Sequence, residues 1–187
     1  FYRLKEGAKA YQEVPSLIKN AKVITIGNGS LFTSLLPNLM IKDVAEALIE
    51  AKKKGVPIVY IQKIKTDLET SKIDLTTGEV EQLTLLEQLE IIRKHVSKVL
   101  NREVKLNEII SHVVVPKKLD GIETYVGVKL QEKDLKEVKE GKAQVSKKIK
   151  GVQPIFDEAE REMIRMLGIE IIEVPEEGLE KEGDMPI

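Results

Sequence analysis

Gly27-Asn28-Gly29-Ser30-Leu31-Phe32-Thr33-Ser34-Leu35-Leu36-Pro37-Asn38-Leu39 follows directly on the β-like run Ala21-Lys22-Val23-Ile24-Thr25-Ile26. A strand that ends in a small, hydroxyl-rich loop is suited to receiving an anion. Glycines let backbone N–H groups come close to phosphate oxygens, and Ser30, Thr33 and Ser34 add hydroxyl donors where a helix N-terminus would offer its dipole. The same residues also suit an ordinary strand-to-helix turn with N-caps. The stretch lacks the Gly-Lys-Ser/Thr of a P-loop, and Phe32 stands where the dinucleotide fingerprint has its third glycine, so neither common nucleotide motif is present. Leu31, Leu35 and Leu36 read as core anchors of the loop, and Asn38 as a group available to a base or sugar.

Outward from this loop the chain alternates helix and strand. Residues 10–20 predict a short helix with Val14, Leu17 and Ile18 on one face, leading into a strand at 23–26. From Asp43, the expected N-cap, Val44, Ala47, Leu48 and Ala51 recur at helical spacing until Lys52-Lys53-Lys54-Gly55, where cations and a C′ glycine end the helix. The run 56–61 is almost continuously apolar, as in strands buried on both faces. A long amphipathic helix is predicted over 83–100, and a third buried strand over 109–115 that Pro116 ends. Residues 130–150 are dominated by Lys and Glu and read as a solvated helix or excursion. The last unit is a strand at 152–156, an Asp157 N-cap with Glu160 at capping-box spacing, a helix closed by Gly168, and a strand at 169–174. No internal repeat is visible.

The 187 residues suffice for one ordinary domain with a real core, and 42% apolar with 33% charged residues is the composition of a soluble globular protein. We expect a single α/β domain over 1–175 and an acidic, frayed tail over 176–187. Thirty basic and 31 acidic side chains leave a formal charge of −1, so no global field draws the chain to nucleic acid or an anionic membrane. There is no cysteine, which removes disulfides, thiolate metal sites and cysteine nucleophiles. With no apolar run long enough to cross a bilayer and no signal-peptide pattern, a cytoplasmic protein is expected.

A second chemical candidate follows the 56–61 strand, because ligands of open α/β sheets bind beyond the carboxyl ends of strands. It is Gln62-Lys63-Ile64-Lys65-Thr66-Asp67-Leu68-Glu69-Thr70. Its two lysines could pair with a diphosphate or be solvated loop charges. Asp67 and Glu69, or Asp74 and Glu79, could hold Mg²⁺ through oxygen, although carboxylates this common carry little information. His95 and His112 stand in no ligand spacing and read as packing or surface residues, and Ser30 has no nucleophile-elbow pattern. No catalytic residue and no metal ligand is therefore selected.

Residues Gly29 to Met40 resemble the G-P-G-S-L-Y-T-S-x-x-P-N-L-L signature of the gluconeogenesis-factor family, a branch of the phospholactate-transferase-like superfamily. Twelve consecutive positions match, with Phe32 for Tyr and Met40 for Leu as the only changes. Asn28 replaces the usual proline, which loosens the loop and adds an amide able to hydrogen-bond a ligand. The stretch from Gln62 resembles C-N-x-M-T-Q-P-G-E-T, with Thr66, Glu69 and Thr70 in place, Lys63 where asparagine is usual and the Pro-Gly gone. The upstream Gly-rich turn and Asp-Asp-Gly-Gly-type loop of the family are not found, so the resemblance implies about the C-terminal half of such a protein. It implies an α/β fold, a Rossmann-like three-layer α/β/α sandwich with a mainly parallel sheet.

The resemblance further implies a non-catalytic regulatory protein that binds a UDP-sugar such as UDP-N-acetylglucosamine, linked to carbon metabolism and to cell-shape or cell-wall control. On that view Gly29, Ser30, Thr33 and Ser34 hold the diphosphate and Asn38, Thr66 and Thr70 contact sugar or base, with Gly27, Asn28, Lys63 and Glu69 also among the expected ligand-binding residues. The alternative is a Mg²⁺-dependent transferase like the related phospholactate transferases, whose loop resembles P-S-N-P-I-T-S instead. A third reading is a structural or interaction module with an incomplete site. A homodimer is the default for a soluble oligomer.

Overall fold

The structure, a computed structural model, describes residues 8–27, 29–63, 70–117, 128–129, 132, 136, 140 and 157–175. The elements follow as α1 (Val14–Lys19), β1 (Ile24–Gly27), a π-helical turn (Leu31–Leu35) running into α2 (Leu36–Leu39), α3 (Lys42–Lys53) and β2 (Ile58–Ile61). Then come β3 (Ser71–Ile73), β4 (Glu79–Gln82), α4 (Leu85–Leu100), a 3₁₀ turn (Leu106–Glu108), β5 (His112–Pro116), β6 (Val128–Lys129), α5 (Glu158–Met166) and β7 (Glu170–Val174). The expected strand at 152–156, the charged stretch 130–150 apart from three isolated positions, and the tail 176–187 lie outside the described residues.

Strands β1, β2, β5 and β7 form one parallel sheet in that order, each hydrogen-bonded to the next. Successive neighbours are therefore joined by crossovers through α3, α4 and α5, and the right-handedness of such crossovers places these helices on one side of the sheet. Helix contacts agree: α1 packs on α3, α3 on α4, and α4 on α5, with α2 against both α3 and α4. The expected Rossmann-like α/β architecture with a mainly parallel sheet is borne out.

Alternation along the strands decides what is buried. Ile26, Ile58, Tyr60, Val113 and Val115 face the helical layer and are buried, while Thr25, Val59, Ile61, His112 and Val114 point to the other face and are half-buried or exposed. Opposite the first set stand Leu48 and Ile49 of α3, Leu85, Leu89, Ile92 and Val96 of α4 and Ile164 of α5. Each such side chain contributes about 1.5–3 kcal/mol on burial.

The ends of α3 and α4 show how local sequence sets boundaries. Helix α3 stops at Lys53, its last turn carries Lys52 and Lys53, and Gly55 takes the left-handed φ of 84° that its C′ position requires. Its start differs from expectation. Ile41 is the N-cap, and Asp43 lies in the first turn, where its carboxylate instead accepts a bond from the Ala10 N–H at 3.3 Å. A small antiparallel sheet, β3-β4-β6, was not foreseen: β3 and β4 lie in the β2-to-α4 connection and β6 joins them from the segment after β5, and its strands are only two to four residues long, too short for a periodicity signal.

Candidate functional site

Parallel pairing of β1 with β2 brings the two loops that follow them to one end of the sheet. Gly27 is the register partner of Ile61. A Cβ on Gly27 would lie 2.6 Å from the Ile61 carbonyl oxygen and 2.7 Å from the Ile61 Cβ, so only glycine lets the strands run this close. A Cβ on Gly29 would lie 2.8 Å from that of Ser34, which means the loop folds directly onto the turn it feeds. Both glycines are thus explained by close approach of backbone to protein.

The turn itself is π-helical. The Ser30 carbonyl accepts the N–H of Ser34 at 2.9 Å and of Leu35 at 3.0 Å, and Leu36 N–H reaches back to the Leu31 carbonyl. Such wide turns recur at functional sites because they reposition a few side chains within a helical path. Leu31 and Leu36 are buried and anchor the turn as expected, while Thr33, Ser34 and Asn38 lie on its exposed side. Ser30 as N-cap makes no side-chain cap hydrogen bond. The Asn38 amide donates to the Ser34 carbonyl at 2.8 Å, so its nitrogen is held within the helix.

From the second loop, Lys63 is half-buried just past β2, and Thr70 is buried with its carbonyl accepting the Leu83 N–H at 2.7 Å. Gly27, Gly29, Ser30 and Lys63 therefore share one end of the sheet, and Thr70 is drawn into the base of the antiparallel sheet. Asn28, Thr66 and Glu69, with Lys65 and Asp67, lie outside the described residues.

One polar group at this end, Gln62, opens the second candidate stretch but has no role assigned from the sequence. Gln62 follows Ile61, continues the ladder through its N–H to the Val114 carbonyl at 2.9 Å, and is only 5% exposed. Its Nε2 has no hydrogen-bond partner among the described residues. Two residues earlier on the same face, Tyr60 is satisfied: its hydroxyl donates to Gln88 Oε1 at 2.9 Å, and Gln88 Nε2 donates to the Leu83 carbonyl at 3.1 Å. The signal in the sequence was a glutamine closing an apolar strand at its carboxyl end.

A second anion-accepting position, the start of α4, is occupied by the protein itself. Thr84 and Glu87 form a full capping box. The Leu86 N–H donates to Glu160 Oε1 at 2.6 Å, across 74 residues of sequence. Glu160 does not complete the capping box expected for α5: Asp157 accepts the Glu160 N–H at 2.8 Å, but the Glu160 side chain turns to α4. Burial pushes the Glu160 carboxyl above the ordinary carboxylate range, the Leu86 N–H and Thr84 hydroxyl oppose this, and the charges of Asp157 and Glu87 reinforce it. Partial burial also acts upward on Glu87, but the Lys72 ammonium and the Thr84 N–H outweigh it and hold that carboxyl low.

The remaining candidates have structural partners. The Asp74 carboxylate accepts the Thr76 N–H at 2.6 Å and the Thr77 N–H at 3.2 Å, and these bonds hold it below the usual range. It therefore serves the β3–β4 turn; among the described residues no three His, Asp or Glu side chains converge as metal ligands. His95 Nδ1 bonds the Ile91 carbonyl at 2.7 Å, and His112 lies between Ser111 Oγ at 2.8 Å and Glu170 at 3.2 Å, at the amino end of β5. Among the described residues no helix is long and apolar enough to cross a membrane.

Known proteins align with this arrangement. The chain is 32% identical over 114 residues to the gluconeogenesis factor of Listeria monocytogenes, covering 61% of this chain and 30% of that protein. It is 34% identical over 91 residues to a putative gluconeogenesis factor of Clostridium acetobutylicum, covering 49% of this chain and 18% of that one. The chain thus spans less than a third of the curated relatives it matches. A crystal structure of a upf0052 family member from Bacillus halodurans superposes with a TM-score of 0.55 at 23% identity, over 89% of this chain and 40% of that one, a likeness of fold. The family profile described as 2-phospho-L-lactate transferase CofD matches residues 1–158, the stretch that contains the signature turn and both loops at the sheet's carboxyl end, and the chain belongs to that family.

Proposed function

We propose that this chain carries part of a nucleotide-sugar site of the gluconeogenesis-factor type and works as a metabolite sensor linked to carbon metabolism and cell-shape control. The observation that carries this reading is the signature from Gly29 to Met40, folded as a π-helical turn running into α2 at the carboxyl end of β1 beside the exit of β2. Carboxyl ends of parallel strands are where ligands of such sheets bind. Ser30, Thr33 and Ser34 supply hydroxyls at the turn, Lys63 a cation from the neighbouring loop, and UDP-N-acetylglucosamine is the ligand we infer. Asn38, Thr66, Glu69 and Thr70 complete the proposed contacts, and the protein is proposed to act in the cytoplasm, with a homodimer as its assembly.

The name of the matched family supports a second reading, transfer of a phosphate-containing group from a nucleotide-activated donor to an alcohol. Melting temperatures of the chain with UDP-N-acetylglucosamine, UDP-glucose, GDP and inorganic phosphate, each with and without Mg²⁺, distinguish the two, because a ligand that binds only the folded state raises Tm. A UDP-sugar-selective rise without product is the expected result. Donor consumption would establish the transferase, and no response to any of them would overturn ligand binding by this chain.

A further inference from the structure

We propose that Gln62 is a ligand-reading residue of this site, its buried Nε2 donating to a phosphoryl oxygen of the bound nucleotide; the inference rests on the nucleotide-sugar reading above. Three observations converge on it. Gln62 sits at the carboxyl end of β2, immediately after the register partner of Gly27, and so beside the start of the signature loop. Its side chain shares a face with Ile58 and Tyr60, the face that turns toward the helical layer, and the signature loop crosses to that same layer on its way into the π-helical turn. At 5% exposure its Nε2 has no partner among the described residues, whereas Tyr60 and Gln88 beside it satisfy one another.

A buried donor without an acceptor is unfavourable for the unliganded fold, and cores do not keep one without a reason. An apolar side chain at this position would continue the strand pattern of Ile58 and Tyr60 at no such disadvantage. An acceptor that arrives with the ligand removes the penalty on binding, and a phosphoryl oxygen makes the bond charge-assisted. The neighbouring anion position cannot compete for that ligand, because Glu160, Thr84 and Glu87 already fill the start of α4.

The test compares wild type with Gln62→Met, close in shape without a donor, and Gln62→Glu, which exchanges the donor for a negative charge. Calorimetric titration with UDP-N-acetylglucosamine and with inorganic phosphate is read alongside the Tm of each unliganded chain. We expect Gln62→Met to melt no lower than wild type yet bind roughly ten- to a hundredfold more weakly, and Gln62→Glu to lose binding altogether. If wild type takes only phosphate and both variants lose it, the sugar reading fails and the role of Gln62 stands. If wild type takes the UDP-sugar and both variants bind it equally well, Gln62 has no such role and the sugar reading stands. Absence of binding by wild type to either probe overturns both. Should Gln62→Met fail to fold, Gln62→Glu decides on the same criteria; if both fail to fold, Gln62 is a structural residue and the proposal falls.

Discussion

Two helical starts in this molecule treat their backbone donors differently. At α4, Thr84 and Glu87 cap each other's N–H groups and Glu160 reaches from α5 to take the Leu86 N–H, so protein carboxylates occupy the position an anion would take. At the turn after β1, no acidic residue stands in the first turn and the N-cap Ser30 contributes no side-chain cap bond. The first start is closed by the protein's own groups, and the Glu87 carboxylate, held low, complements the helix dipole there. The second has no side-chain cap from Ser30 and carries Thr33 and Ser34 on its exposed side. The contrast separates the two anion-friendly places that sequence alone would rank together.

That contrast can be broken or sharpened by substitution. The largest expected effect is at Gly27. In Gly27→Ala the new Cβ meets Ile61 backbone that cannot rotate away, so urea unfolding should show a loss of roughly 1–3 kcal/mol. A loss below a few tenths of a kcal/mol would mean that β1 and β2 separate easily and that the glycine answers to the ligand alone.

Thr84→Ala comes next. It removes the side-chain acceptor of the Glu87 N–H and should cost about 1 kcal/mol. The comparison predicts that Ser34→Ala, at an exposed position of the turn, stays within about 0.5 kcal/mol of wild type. The same variant should weaken UDP-sugar binding. Equal destabilisation by the two would erase the distinction between a self-capped start and an open one.

The smallest and most diagnostic effect is in pH. The Glu160 carboxyl is raised in the folded state, so between its ordinary value and its raised value the native chain holds more protons than the unfolded chain. Stability from this group therefore falls as pH rises through that window and recovers on acidification. Glu108 has the opposite sign: the Arg102 guanidinium and the Lys105 N–H hold its carboxyl low, and its contribution is lost as pH falls. Glu160→Gln keeps an acceptor for the Leu86 N–H and leaves Glu108 untouched, so the difference between variant and wild type isolates Glu160. That difference should favour the variant at neutral pH and shrink on acidification through the mildly acidic range. A difference that does not change with pH would show that Glu160 is not stabilised in its protonated form by burial.

Much of the fold could be read before any coordinates because local chemistry was unambiguous. The α3 stripe ending in Lys52, Lys53 and Gly55, the apolar 58–61 strand and the Asp157 cap each use contacts within one turn or one strand. Misreadings fell where a side chain had both a near and a far partner. Asp43 was expected to cap its own helix and bonds Ala10 instead, and Glu160 was expected to serve α5 and serves α4. Spacing rules describe only the near partner. The β3-β4-β6 sheet escaped because its strands are stabilised by pairing with one another and not by a pattern within any of them.

The sequence by itself determined the α/β alternation, the signature turn after β1 and the loop after β2, since hydrophobic period, glycines and hydroxyls are properties of short stretches. Only the tertiary structure decided that Gly27 is fixed by Ile61, that the start of α4 is filled by Glu160, and that Gln62 is buried beside the signature loop with an amide to spare. The physical reason is that each of these depends on the register of parallel strands joined by long crossovers, and a contact between residues 34 or 74 positions apart leaves no periodic trace in the chain.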